Sequence, residues 1–203
     1  MKLATVKTMK KYDEKIRKSE SLNEVFEIVK DIIADFTGYE RNGIKLRILN
    51  LGTENNRFVG GFYNYHTNVI TINSEPIDNL FNSNPKLVPY YVFHVLLHEY
   101  IHALGVYDEI RTRKIAYLIS RKCFGEEHVL TQLASNIGQF IPQLVKSYRR
   151  RQDLFDDFLE YPNEIEDFFE REIFEDFDRM MHHFLKEFNG YFDDDAFFSN
   201  PVA

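Results

Sequence analysis

Residues 98–102 read His-Glu-Tyr-Ile-His. On an α-helix, residues four apart lie one above the other on the same face, so His98 and His102 can turn their imidazoles toward one metal ion. Glu99 stands one position past the first histidine, where its carboxylate can reach a water held by that metal. Gly105, Asp108 and Glu109 follow, giving the string H-E-x-x-H-x-x-G-x-x-D-E. The surrounding run is apolar: Val92, Phe93, Val95, Leu96, Leu97, Tyr100, Ile101 and Leu104. Three polar side chains set into such a run cost several kcal/mol to bury unless they are paired or bound to metal. A bare H-E-x-x-H is short enough to arise by chance. The apolar helix before it and the glycine and acids after it supply the context that a metal site needs.

The string resembles the zincin superfamily of zinc metallopeptidases. In its longer form, His98, His102, Gly105 and Asp108 resemble the metzincin pattern, with aspartate where that pattern has a third histidine. The strict resemblance covers residues 98–109, and the expected architecture covers residues 44–124. It implies Zn2+ as cofactor, a peptide or protein as substrate, and peptide-bond hydrolysis with Glu99 as general base on a zinc-bound water. It also implies that Gly105 turns the chain sharply, returning a residue three positions later to the metal. Asp108 is the preferred third ligand on that spacing. Glu109 is the alternative, because in gluzincins a glutamate from a second helix is the ligand. His128 ranks third, since a helix of about 15 residues carries it roughly 22 Å away. No Met-turn is assignable, and Met180 and Met181 read as core. His94 reads as a cleft-wall or core residue. Tyr107 is expected to bond an oxyanion, and His66 with either Tyr63 or Tyr65 to edge the cleft. The alternative function is a zinc-binding regulatory or interaction protein, its peptidase activity vestigial or aimed at one partner.

These residues need a scaffold, and the pattern along the chain predicts one. Residues 3–18 read as a lysine-rich helix. Ser21 and Glu24 form a capping box opening a second helix, with Val25, Phe26, Ile28, Val29, Ile32, Ile33 and Phe36 at helical spacing and Gly38 as its cap. Residues 44–51 alternate with period two, as a half-buried strand does, and residues 57–65 and 68–73 read as two more strands joined as a hairpin. The resemblance makes Asn68, Val69, Ile70 and Thr71 the edge strand over the cleft, where an extended substrate adds by backbone pairing. Pro85 and Pro89 mark the entry to the helix of residues 89–104. Two more helices follow, one opened by Asp108 or Glu109 and one over residues 126–147. The fold class is therefore α+β and zincin-like. It has an N-terminal helix, a small mixed or antiparallel sheet, the site helix and a helical C-terminal half.

The chain has 203 residues and a formal net charge of −7. Residues 151–203 hold 16 Asp and Glu against 4 Lys and Arg, while residues 1–150 hold 21 Lys and Arg against 16 acids. This divides the chain into a zincin-like domain, 1–150, and an acidic extension, 151–203. The extension carries 11 of the 19 phenylalanines and reads as amphipathic helix. It is expected either to pack on the domain or to bind a protein partner or a second copy. The acidic balance argues against nucleic acid and against an anionic membrane surface. Cys123 is the one cysteine, so no internal disulfide forms. A charged N-terminus without an apolar segment is not a signal peptide, and a cytoplasmic location is expected.

Overall fold

A computed structural model describes residues 6–52 and 59–141. Its elements in order are α1 (Val6–Lys18), α2 (Leu22–Thr37), β1 (Lys45–Leu49), β2 (Gly61–Asn64), β3 (Val69–Asn73), α3 (Ser74–Ser83), α4 (Val88–Ala103), α5 (Glu109–Phe124) and α6 (Val129–Ser135). Short 3-10 turns lie at Pro85–Leu87 and Ile137–Gln139. The described residues form an α+β structure, as the sequence pattern predicts.

Most of the described elements pack on α4. Its residues from Tyr91 to Ile101 are buried on every side, as a helix apolar all round must be. Helices α1, α2, α3, α5 and α6 and strands β2 and β3 all touch it. The stripe Val25, Phe26, Ile28, Val29, Ile32 and Ile33 of α2 is buried as its spacing predicts, each side chain contributing about 1.5–3 kcal/mol. Phe26 meets Tyr100 edge-on, with ring centroids 5.3 Å apart. The Ser21 hydroxyl accepts from the Glu24 amide at 3.2 Å, and Gly38 ends α2 in the left-handed region at φ 73°.

The three strands lie in the order β1-β3-β2. β1 runs parallel to β3, with Lys45 opposite Val69 and Leu49 opposite Asn73. β2 runs antiparallel to β3, with Gly61 opposite Ile72 and Asn64 opposite Val69. This corrects the edge-strand expectation for residues 68–71. Val69, Ile70 and Thr71 are paired on both sides, and Asn68 sits in the preceding turn at φ 52°, so no substrate strand can add there. Ile70, Thr71, Ile72 and Asn73 are all buried, the uninterrupted pattern of an inner strand. Among the described residues, the edge of the sheet next to α4 belongs to β2.

β2 reaches α4 because of two glycines. A Cβ on Gly61 would lie 2.9 Å from the Thr71 carbonyl oxygen and 2.9 Å from a Val95 methyl, and one on Gly60 would lie 3.1 Å from the Tyr91 hydroxyl. The bend expected at Gly60-Gly61 is thus a close approach of strand to helix.

Two local readings need correction. Helix α3 is not foreseen by the strand-and-proline pattern. The buried Asn73 side chain opens it, accepting from the Glu75 amide at 3.2 Å and from the Leu51 amide at 3.1 Å while donating to the Val59 carbonyl at 3.0 Å. The helix expected over residues 126–147 is short. α6 ends at Asn136, where the chain passes into the 3-10 turn, although Leu130, Leu133, Ile137 and Ile141 are buried as their spacing requires. The acidic extension, Met180 and Met181 lie outside the described residues. Among the described residues, no helix is long and apolar enough to cross a membrane.

Candidate metal site

The last turn of α4 is closed by a glycine cap. The Gly105 amide donates to the His102 carbonyl at 3.0 Å and the Val106 amide to the Ile101 carbonyl at 3.3 Å, with Gly105 at φ 102°. This paired 5→2 and 6→1 pattern requires a left-handed residue, which glycine adopts without strain. It reverses the chain so that α5 runs back along α4, Phe124 meeting Phe93 at 5.7 Å.

Asp108 and Glu109 then part company. Asp108 is the N-cap of α5: its backbone is extended, and its carboxylate accepts from the Arg111 amide at 2.7 Å. Its side chain is exposed and committed to its own helix. Glu109, the first helical residue, faces α4. Its Oε1 lies 3.4 Å from His98 Nε2 and its Oε2 lies 3.4 Å from His102 Nε2. The two Nε2 atoms are 3.1 Å apart. One ligand atom from each of His98, His102 and Glu109 falls within 4.8 Å of the others. The geometry brings Glu109, and not Asp108, into the group that could hold a metal, the Asp108 carboxylate being turned to the Arg111 amide. Two imidazoles and one carboxylate are a donor set that suits zinc and leaves a fourth position open. Among the described residues this is the one such cluster.

Hydrogen bonds orient the ligands. His102 Nδ1 lies 2.6 Å from the Val106 carbonyl oxygen. That nitrogen therefore carries the hydrogen, and Nε2 presents its lone pair to the site. Burial pushes the Glu109 carboxyl up, but hydrogen bonds from His102 and His98 and their charge outweigh it and hold it well below the usual carboxylate range. Burial pushes His102 down, and its bond to Glu109 together with the nearby Glu99 charge raises it above the ordinary imidazole value.

Glu99 faces β2. It is only 6% exposed, and burial raises its carboxyl above the ordinary value. The charge of His98 and His102 and the Tyr63 amide act in the other direction. Gly60 accepts from the Asn73 amide at 2.9 Å, so by strand alternation Gly61 and Tyr63 turn their peptide groups away from β3. The Tyr63 N–H thus meets Glu99 on the outer edge of β2.

The remaining sequence candidates are spread more widely. His94 stands one turn before His98 and is buried. Its Nδ1 has no hydrogen-bond partner, and burial, then the charges of His98 and Arg113, push it down to about 3. Tyr107 is 61% exposed beside the site, and Tyr65 is also exposed. His66 is exposed and stacks on Tyr65 at 3.9 Å. His128 is remote from the cluster in its bonding: Nδ1 caps α6 at the Leu130 amide, and Nε2 bonds Asp13 of α1 at 3.1 Å. It is a structural clasp, joined by the Tyr90 hydroxyl, which donates to the same Asp13 oxygen at 2.8 Å.

Sequence reasoning misses Arg41. Its amide donates to the Tyr100 hydroxyl at 2.8 Å, its Nη1 donates to the Ala103 carbonyl, and its guanidinium lies 5.3 Å from the Tyr63 ring. It ties the end of α4 to the rim strand. No local pattern announces it, since its partners are about 60 residues away.

Comparison with models of known protein families, with curated proteins and with solved structures finds no match. The functional reading rests on the geometry of the site.

Proposed function

We propose that the chain is a zinc-dependent peptidase, with His98, His102 and Glu109 holding the metal and Glu99 serving as general base. The observation that carries this reading is the Glu109 carboxylate set between the two H-E-x-x-H imidazoles, with Glu99 beside them and outside the ligand set. A site meant only to bind zinc has no use for a second, buried carboxylate outside the ligand set.

When bound, zinc supplies a water whose pKa falls from 15.7 toward about 7 and a Lewis acid that polarises the scissile carbonyl. The protein's own groups do the rest. Glu99 takes a proton from the attacking water and passes it to the leaving amine. Its place beside the two imidazoles lets it hold that proton between the two steps. The Tyr63 amide keeps the carboxylate pointed along the rim. An extended peptide lies along the outer edge of β2, pairing with the outward peptide group of Gly61 and with the Tyr63 carbonyl. The substrate class is thus a peptide in extended form, or an unfolded stretch of protein.

The test is cleavage of an unfolded protein or peptide mixture by the purified full chain. The expected result is hydrolysis that stops on addition of a zinc chelator and returns on addition of zinc. Cleavage indifferent to chelation overturns the proposal, as does the absence of any product from a zinc-loaded protein.

A further inference from the structure

We infer that Thr112 is a positioning residue for the metal site, acting through the Val106 carbonyl on His102. This rests on the metal reading above and adds a residue that the H-E-x-x-H string does not contain.

Three atoms meet at the turn after α4. His102 Nδ1 donates to the Val106 oxygen at 2.6 Å. The Thr112 hydroxyl donates to the same oxygen at 3.1 Å, and its Oγ1 lies 3.4 Å from His102 Nδ1. Thr112 is 0% exposed. It sits on α5 three residues after Glu109, so the helix that carries the third ligand also holds the orienting carbonyl of the second. A carbonyl oxygen has two lone pairs. One receives the imidazole and the other the threonine hydroxyl, which fixes the direction in which the oxygen points. Without that second bond the Val106 carbonyl is held by the imidazole alone, and the direction in which it orients the His102 ring is less sharply fixed. Threonine suits the position in a second way. Its hydroxyl finds an acceptor across the turn, and its methyl group fills buried space.

The discriminating experiment compares Thr112→Val, which keeps the shape and removes the donor, with Thr112→Ser, which keeps the donor and removes the methyl. Zinc affinity is measured by chelator competition on the full chain. The cobalt-substituted absorption spectrum serves as a second readout of ligand geometry. An outer hydrogen-bond partner of a metal-bound histidine is worth about 10–100-fold in affinity. Thr112→Val is therefore expected to weaken zinc binding by about 10-fold or more and to alter the cobalt spectrum. Thr112→Ser is expected to bind within about 3-fold of the parent, below that range. If Thr112→Val binds zinc as the parent does, or if Thr112→Ser is weakened as much as Thr112→Val, the inference is overturned while the metal site stands. If the parent chain itself binds no zinc, the metal reading falls and this inference with it.

Discussion

Glu99→Gln is expected to lower peptide hydrolysis by about 10²–10⁴-fold, the usual worth of a positioned general base, and to leave zinc bound. The amide has the size of the carboxylate, so it fills the same buried space between α4 and β2. It cannot take the proton of the attacking water. The metal is expected to remain because Glu99 belongs to none of the close contacts among His98, His102 and Glu109. Folding is expected to change little in the destabilising direction. Burial already disfavours the charged carboxylate, and the neutral amide escapes that cost. Initial rates of peptide cleavage, measured with zinc content on the same sample, check the prediction. Unchanged turnover in a zinc-loaded Glu99→Gln protein means that another group is the base.

The second large effect separates the two adjacent acids. Glu109→Ala removes one of three ligand groups. Its loss of zinc affinity should exceed the 10–100-fold that removing an outer hydrogen-bond partner costs. Asp108→Ala removes a helix cap. It should cost about 1 kcal/mol of stability, or about 2–4 °C in melting temperature for a chain of this size, with zinc content unchanged. The two outcomes are opposite in kind, one a loss of metal and the other a loss of stability. If Asp108→Ala loses zinc and Glu109→Ala retains it, the order seen in the sequence spacing is right and the geometry at α5 is wrong.

Much of the fold is legible in the sequence because short-range physics dictates it. The capping box at Ser21, the cap at Gly38 and the six-residue stripe of α2 depend only on neighbours within a turn or two. The site helix is equally plain, since residues 89–104 are apolar apart from His94 and the three residues that carry the chemistry. What is not legible depends on partners far along the chain. The alternation in residues 44–51 announces a strand, yet nothing in it says that β1 pairs with β3 in parallel and pushes β2 to the edge. The unbroken β-branched run Val69, Ile70, Thr71 and Ile72, without polar alternation, is the one local hint that β3 is central. Arg41 bridges about 60 residues and carries no signal at all.

The third ligand is the instructive case. The string G-x-x-D-E places two acids at the right distance from the glycine, and spacing alone favours the first. The deciding fact is which of them caps the helix. Aspartate before an apolar periodic run is a strong N-cap signal, and once Asp108 is given to the cap, Glu109 is the residue left to face α4. The same accounting finds α3, where Asn73 precedes Ser-Glu-Pro. Capping rules, applied before ligand spacing, recover both.

The most direct measurement is anomalous diffraction at the zinc absorption edge from crystals of the natively purified chain. One strong peak is expected, in contact with His98 Nε2, His102 Nε2 and a Glu109 oxygen, with Glu99 outside contact distance and Asp108 still bonded to the Arg111 amide. A peak coordinated by Asp108, or no peak between the two histidines, contradicts the account.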